Sequence, residues 1–533
     1  MHQRHSSPPA TSEVRGSVAG RGADRPDPAR RARLLTAVAL LVVAVIAILL
    51  IHGSTGLSQV DYTSRVVLTI QPKHPGKGFA EGAIGLSIET RELATSDLSA
   101  SDKSLVELMR LLGPGVLRIG GNSLDDSWWT SGNEPAPTWA KSVIVPTDLG
   151  RLRGLLAATG WRAILGVNLG HFEPVRAANE AEVAEGTLGA RLLGFEIGNE
   201  PSDYEHPHIG LRANAYSAND YLGELNTYSA AMRASVPTIS FYGPDLGSST
   251  SESWLWPVAS QSGTLFSSID VHYYPTHYSV AKGACEAAPV PTASELLSPE
   301  VRENENAELQ VMIKAGELAH RGVRISETND TSSCDLPGGP ATSPVYASAL
   351  WSLDWSLRAA SAGIVGLNFH GYLGRCMPES FAPICEPTNG HVGLGRVAPR
   401  PEYYGLLAAR QLEGGRFIPT HLTSPSPLPN LVAWATVTPR GTVRVAIENF
   451  STEGAAPISI PASGYAATYH MLAGPSIEAT SGVTFGGVGV TAAGRWQPGR
   501  RQLSCRRGSC RIVVGPANAA IVTLRPVHRH RKR

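Results

Sequence analysis

No C-x-x-C pair occurs among the six cysteines of this 533-residue chain, and no G-x-G-x-x-G follows any of its apolar runs. The first absence argues against a zinc ribbon or a thioredoxin-type site. The second argues against a dinucleotide-binding sheet. Self-similarity at solenoid or propeller periods is missing too, so the chain is not a repeat array. Charged residues are only 17% of the sequence against 42% hydrophobic, which excludes wholesale disorder and provides for a sizeable core. At this length two domains are expected rather than one small module.

Excess positive charge is absent from the body of the chain. The net charge is +1 overall. Residues 1–33 hold +4 of charge and Arg525 to Arg533 hold +5, leaving −8 for residues 34–524. A mildly acidic body argues against a nucleic-acid groove, so no nucleic-acid partner is expected. Residues 1–33, rich in Arg, Pro, Ser and Gly, read as a disordered cytoplasmic tail. The run from Leu34 to Ile51 has Thr36 as its only polar side chain. As a helix it spans about 27 Å, the hydrocarbon thickness of a bilayer. Arg30, Arg31 and Arg33 precede it and no positive charge follows closely, which places the N-terminus inside and the rest outside. The expectation is a single-pass transmembrane signal-anchor over 34–52 with the folded part that follows it extracellular at the cell membrane. A cleaved signal peptide, giving a secreted protein, is the alternative. Cys285, Cys334, Cys376, Cys385, Cys505 and Cys510 suit local disulfides in an oxidising compartment, with the pairing open. Cys505 and Cys510 flank a hairpin-like RRGS, and Cys376 and Cys385 share a Pro-rich loop.

After a linker and strand over 53–78 (Arg65 to Gln71 alternates, and is expected to join a later β domain), a theme repeats from about Phe79 to Arg400. Short apolar runs fall at 83–89, 115–121, 162–168, 192–199, 238–243, 268–274, 322–327 and 363–370. Helical stretches lie between them, such as Ser104–Leu112, Thr147–Ala158, Asp220–Ala234, Ala307–Arg321 and Tyr346–Ala362. Eight strand–helix alternations are what an α/β fold of the (β/α)8 TIM-barrel type requires, placed here over 79–400. A doubly wound open sheet is the structural alternative. From about Glu402 the texture turns to β. Residues 432–438, a Pro-Arg-Gly turn and 442–449 form a hairpin with Val443, Val445 and Ile447 on one side and Arg444 and Glu448 on the other. Further strands are expected at Ala467–Leu472, Arg511–Val514 and Ala519–Leu524. These make a C-terminal all-β sandwich over 401–526, followed by a basic tail over 527–533.

In a (β/α)8 barrel the reactive groups sit at the C-terminal ends of the strands. Those ends carry Glu89, Asn122 with Asp125, Asn199 with Glu200, His272 with Tyr274, Glu327, and His370 with Tyr372. Glu200 in GFEIGNEP follows the fourth strand, and Glu327 in VRISETN ends the seventh. These strands face each other across the barrel mouth, so two carboxylates meet in one cleft. Such a pair hydrolyses glycosides: one carboxylic acid protonates the leaving oxygen while one carboxylate attacks C1, the two carboxyl groups standing about 5–5.5 Å apart in the retaining mechanism.

The motifs LSIE (86–89), LRIGGNSLDDSWW (117–129), GFEIGNEP (194–201), DVHYYP (270–275), ISETN (325–329) and NFHGY (368–372) resemble those of clan-A glycoside hydrolases. The closest resemblance is to family 79, the β-glucuronidase and heparanase group, and it covers roughly residues 60–525. It implies Glu200 as the acid/base and Glu327 as the nucleophile, with Asn199 on the sugar 2-hydroxyl. Glu89 and Asp125 match positions that hold glycone hydroxyls, and Tyr274 is the candidate hydrogen-bond donor to the nucleophile. Asn122, His272, His370 and Tyr372 complete the substrate-binding set.

Simpler roles stand beside these. Glu89, Asn122 and Asp125 also suit helix caps or loop bonding, His272 a satisfied barrel-mouth histidine, and Trp128 and Trp129 core packing rather than a sugar platform. His391 reads as plain loop and the HRHRKR end as a solvated tail. One departure bears on specificity: the loop DTSSCDLPGGPATSP after Glu327 lacks the Tyr that in bacterial family members binds the uronate carboxylate with a Gly. Gly338, Gly339 and Tyr372 are the substitutes at hand. The sequence therefore points to a retaining, exo-acting β-glycosidase for β-linked glucuronides, needing neither metal nor cofactor. A clan-A enzyme for a neutral glucoside, xyloside or arabinofuranoside, and a catalytically silent carbohydrate-binding protein, are the alternatives.

Overall fold

The computed structural model describes residues 66–527, except 206–208, 213–214, 248–250, 280–287, 334–337, 378–379, 388–395, 425–429, 492 and 500. The apolar run at 34–52, the linker up to residue 65, Cys285, Cys334, His391 and the end of the basic tail lie outside them. Among the described residues no helix is long and apolar enough to cross a membrane.

Eight parallel strands close into a barrel: β1 (Ile84–Glu89), β2 (Val116–Gly120), β3 (Arg162–Val167), β4 (Leu192–Ile197), β5 (Phe241–Leu246), β6 (Phe266–Tyr273), β7 (Gly322–Thr328) and β8 (Gly366–Gly371). They are arranged in chain order, and β8 closes on β1 through Leu367 opposite Ile84 to Gly371 opposite Ile88. A helix follows each strand: α1 (Lys103–Leu112), α2 (Pro146–Thr159), α3 (Pro174–Leu188), α4 (Ala218–Ser235), α5 (Trp256–Ser262), α6 (Pro299–Ala319), α7 (Tyr346–Ala362) and α8 (Pro401–Ala409). The open-sheet alternative is thereby excluded.

Several boundaries differ from the sequence reading. The helix expected from Ala307 begins at Pro299. The fifth strand begins three residues later than the run at 238–243 and continues to Leu246 through Pro244, although proline cannot donate to a ladder. Residues 401–409, read as the start of the β domain, form the last barrel helix. Gly405 lets that helix press on α7, since a Cβ there would stand 2.1 Å from the Ala349 carbonyl oxygen.

The barrel strands are buried on both faces, so they read as near-continuous apolar runs, but the inward positions are polar. Ser87, Arg118, Glu196, Asp270, Ser326 and Asn368 are all buried. Glycine makes the room for them. A Cβ at Gly120 would lie 2.3 Å from the Arg118 guanidinium carbon, and one at Gly366 would lie 2.2 Å from Arg324 Nη1.

The sandwich has two sheets. Val66–Ile70 lies in the five-stranded one, antiparallel to Thr420–Thr423 and parallel to Ala456–Pro461. The larger sheet is built around Leu431–Val437, Val443–Asn449, Asn518–Pro526 and Tyr465–Ala473. Val443, Val445 and Ile447 fill the space between the sheets with Leu68, Ile458, Ile512 and Val522. The opposite face of the larger sheet meets the barrel rather than water, with Ala446, Leu472, Ala519 and Ile521 in the barrel-side core. There Arg444 Nη1 donates to the Glu413 carbonyl oxygen at 2.6 Å, and Trp434 Nε1 donates to Asp354 Oδ1 on α7 at 2.7 Å. Among the described residues two disulfides, Cys376–Cys385 and Cys505–Cys510, close short loops.

Because Val66–Ile70 precedes the barrel yet sits inside the sandwich, the two halves are expected to unfold together. Leu68, wholly buried, is the test: Leu68→Ala should lower the unfolding free energy by about 2–5 kcal/mol. Denaturant titration should show one transition by both fluorescence and circular dichroism. Separate transitions for the two halves would contradict the coupling.

Candidate active site

The C-terminal ends of β4 and β7 bring Glu200 and Glu327 to one place. Glu200 follows Gly198 and Asn199 and precedes Pro201, which disfavours the right-handed helical region for it. It takes a left-handed conformation, φ 47° and ψ 51°, strained for a residue with a Cβ. Its amide donates to the Asp245 carbonyl oxygen at 2.9 Å, which fixes the turn. The side chain is about one-fifth exposed, and Oε1 lies 2.9 Å from His272 Nδ1. Oε2 has no hydrogen-bond partner among the described residues.

Glu327 is nearly buried. Tyr274 donates to its Oε1 at 2.8 Å, and Arg118 Nη1 donates to its Oε2 at 2.6 Å. His370 Nδ1 stands 3.5 Å from the same Oε2. Burial alone would raise its pKa, but the positive field of His370, His272 and Arg118 and the Tyr274 hydroxyl prevail and bring it down to about 2. Glu327 is therefore an ionised, desolvated carboxylate at neutral pH. Donor atoms of Glu200, His272 and Glu327 all lie within 4.8 Å of one another.

Arg118 stands beneath the pair, wholly buried in the barrel. Nε donates to Glu196 Oε2 at 2.7 Å, and Nη2 donates to Asn199 Oδ1 at 2.8 Å. Nη2 also approaches Asp245 Oδ2 at 3.4 Å and His272 Nε2 at 3.3 Å. His272 links this layer to the mouth, with Nδ1 on Glu200 and Nε2 3.3 Å from Asp245 Oδ1. Burial works against its charge, yet Glu327, Asp245 and Glu200 outweigh burial and the repulsion of Arg118, raising its pKa to about 10. Burial also disfavours ionisation of Glu196 and Asp270, which are pushed up, the latter to about 8. Asp245 is pulled down by Arg118, Glu196 and His272 in spite of its burial. Carboxylate oxygens of Glu196, Asp245 and Asp270 lie within 4.8 Å of one another. These are ligand types for a divalent cation, but the Arg118 guanidinium already supplies the positive charge at that position.

The other sequence candidates divide between the mouth and its walls. Asn199 is buried, and its Nδ2 donates to Oδ1 of the exposed Asn122 at 3.1 Å. Glu89 Oε2 accepts from the Ser123 amide at 2.8 Å while Oε1 lies 3.5 Å from His370 Nε2. Its pKa is lowered, burial being outweighed by His370 and Ser123. His370 Nδ1 also lies 2.9 Å from Ser87 Oγ. Asp125 is buried behind the wall, where Oδ1 accepts from the Gly170 amide and the Tyr204 hydroxyl, both at 2.9 Å. Burial raises its pKa to about 7. This is the loop-bonding arrangement. Tyr372 is half-buried and stacks on Phe381, their centroids 6.0 Å apart. Phe381 also packs against Tyr274 and His370 at 5.7 and 5.6 Å, carried there by the Cys376–Cys385 loop.

Trp128 and Trp129 lie outside this cluster. The Arg176 guanidinium covers Trp128 at 3.4 Å, and Trp129 Nε1 donates to Asn179 Oδ1 at 3.0 Å. The cavity beside them, about 20 Å³, has room for a water molecule. The amide of Gly339 donates to Ser343 Oγ at 3.0 Å and is thus engaged within its own loop. Sequence reasoning missed Arg118, Glu196, Asp245, Asp270 and Phe381. Arg118 and Glu196 were visible as lone charges in apolar strands, the signal of an inward-facing ionic layer.

No protein-family model matches the chain, and no curated protein sequence matches it. Solved structures match in fold. A 4-O-α-L-rhamnosyl-β-D-glucuronidase from Fusarium oxysporum superposes with a TM-score of 0.65 at 18% identity, over 85% of this chain and 100% of its own. A GH51 arabinofuranosidase from Xanthomonas axonopodis pv. citri gives 0.61 at 13% identity, over 87% and 100%. An α-L-arabinofuranosidase from Thermotoga maritima gives 0.60 at 14% identity, over 86% and 99%.

The His272 contacts make a prediction with a definite sign. A folded pKa of about 10, above the ordinary 6.5, stabilises the fold fully below pH 6.5. That contribution is lost as pH rises through about 10. Asp245→Asn removes one anion facing the imidazole and leaves Glu327, Glu200 and Arg118. Nuclear magnetic resonance titration should show His272 deprotonating at lower pH, with a smaller loss of stability between neutral and alkaline conditions. An unchanged His272 titration would remove Asp245 from this role.

Proposed function

We propose that the protein is a retaining exo-β-glycosidase acting on β-linked glucuronides. The observation that carries this reading is the approach of a Glu200 oxygen and a Glu327 oxygen to within 4.8 Å, with a His272 nitrogen within the same distance of both. Retaining hydrolysis places its carboxyl groups about 5–5.5 Å apart, whereas inversion needs about 6.5–9.5 Å to admit a water.

The two carboxyls differ in their surroundings. Glu327, held ionised by Arg118 and Tyr274, attacks C1 and forms a glycosyl ester. Glu200, its Oε1 fixed by His272 and its Oε2 free, gives a proton to the leaving oxygen. In the second half the Glu200 carboxylate takes a proton from water. The water oxygen joins C1, the ester bond breaks, and Glu327 is regenerated with the anomeric configuration retained. Asn199, oriented by Arg118 and Asn122, meets the sugar 2-hydroxyl. Glu89, Asn122, His370 and Tyr372 contact the glycone, whereas Asp125 supports the wall behind it. The preorganised guanidinium and imidazole stabilise charge without reorganisation during the reaction.

For the uronate, the Tyr372 hydroxyl and the exposed Arg91 are the donors we assign. The cationic field of Arg91 reaches both Glu89 and Tyr372. The glucuronidase among the structural neighbours supports this choice. A neutral glycone is the second reading, favoured by the engaged Gly339 amide and by the arabinofuranosidase neighbours. The disulfides fit an oxidising compartment, and we place the enzyme on the outer side of the membrane, tethered by 34–52.

Hydrolysis of nitrophenyl β-glucuronide, compared with the β-glucoside, β-xyloside and α-arabinofuranoside, tests both levels. Glucuronide should be preferred, the β-anomer should appear first, and Glu327→Gln should abolish turnover. Glu200→Gln should cost about 10²–10⁴-fold on substrates with poor leaving groups and far less on the nitrophenyl glycoside. Turnover of arabinofuranoside alone would favour the second reading, and activity surviving Glu327→Gln would reject the mechanism.

A further inference from the structure

The end of the chain differs in charge from everything before it. Residues 479–533 contain eleven Arg and Lys and neither Asp nor Glu, so the preceding 478 residues carry −10 of the +1 total. Of the arginines that are described, Arg495, Arg501, Arg506, Arg507, Arg511 and Arg525 are exposed. None of their side chains forms an ion pair among the described residues. Like charges gathered on one surface repel each other, and no fold requirement visible here asks for them.

The backbone arranges these side chains in two groups. In the Cys505–Cys510 hairpin, Ser504 pairs with Arg511 and Arg506 with Ser509. Cys510 is wholly buried in the sandwich core, so Arg506 and Arg511, on the opposite side of the pleat, share the outer face of the five-stranded sheet. Arg507 stands at the turn with φ 50°, beside Gly508. The second group lies where the chain leaves the larger sheet. Two short strands share the edge of Tyr465–Ala473: Arg501–Gln502 pairs with Tyr469 and Thr468, and Thr484–Phe485 pairs with Ala473 and Leu472. Opposite the residues between them is a cavity of about 210 Å³, lined by Tyr469, His470, Met471, Thr484, Gly487 and Arg501 among others. Gly487, at φ 80°, lines the same hollow beside the Arg501 guanidinium.

An exposed guanidinium fork binds carboxylate or sulfate in bidentate fashion. A lipid surface would suit a flat basic array. Here Arg501 lines a hollow flanked by a tyrosine and a methionine, and the chain runs on from it to Arg506 and Arg511, which suits a chain of discrete rings each bearing an anion. We propose that this edge of the sandwich is a non-catalytic binding surface for an acidic polysaccharide, with a uronate residue seated at Arg501 and the following residues along Arg506 and Arg511. The surface stands on its own charges and cavity and does not depend on the reaction at Glu327.

Binding, rather than turnover, is therefore the readout. The full chain should bind soluble polygalacturonate, with an affinity that falls steeply with salt, and should not bind dextran. The triple substitution R501S/R506S/R511S should weaken binding by about tenfold or more. The melting temperature and hydrolysis of a small aryl glycoside should stay unchanged. R501S alone should also weaken binding. Polygalacturonate affinity unaltered in the triple variant, equal retention on dextran, or tighter binding to phosphatidylserine vesicles than to polygalacturonate would each overturn the proposal.

Discussion

A single buried cation ties the barrel interior to its mouth. The Arg118 guanidinium reaches Glu196 on β4, Asn199 just beyond it, Asp245 on β5, His272 on β6 and Glu327 on β7. Burying it in isolation would be prohibitive, and each carboxylate alone would take up a proton. Together they leave Glu327 charged in a nearly dry site, where electrostatic interactions with fixed donors are strongest. Loss of Arg118 would strand several partners at once. The network is thus a condition for the fold as well as for the site.

The same network explains what was legible in the sequence. Glu200, Glu327, His272 and Tyr274 could be located because reactive groups in this architecture gather at strand ends and the eight apolar runs mark those ends. Arg118 and Glu196 lie mid-strand, where periodicity expects core, and only a closed barrel shows that their side chains converge. Asp245 was lost for a local reason: Pro244 made the fifth strand appear to stop at Gly243. Phe381 reaches the site through a disulfide loop whose pairing no sequence pattern specifies. Asp125, in turn, shows that a polar residue in a site motif can serve the wall instead of the cleft.

The sandwich is integral to the catalytic half. Its larger sheet uses one face for the inter-sheet core and the other for the barrel, so Arg444 and Glu448, which alternation alone would turn to water, are covered. Arg444 answers with a backbone carbonyl. Glu448, wholly buried, is pushed by burial well above the usual carboxylate range. Positions that alternate cleanly therefore carry different meanings when both faces of a sheet are occupied.

The strand Val66–Ile70 has a consequence for biogenesis. It is among the first described segments to leave the ribosome, yet its neighbours in the sheet lie about 350 and 390 residues later. The five-stranded sheet has to wait until almost the whole chain has been made. Contacts of such long range are slow to form, and an unpaired strand edge is exposed in the meantime. Closure of the sandwich therefore comes only after the final strands have been made, and until then the early strand has to be kept from pairing elsewhere.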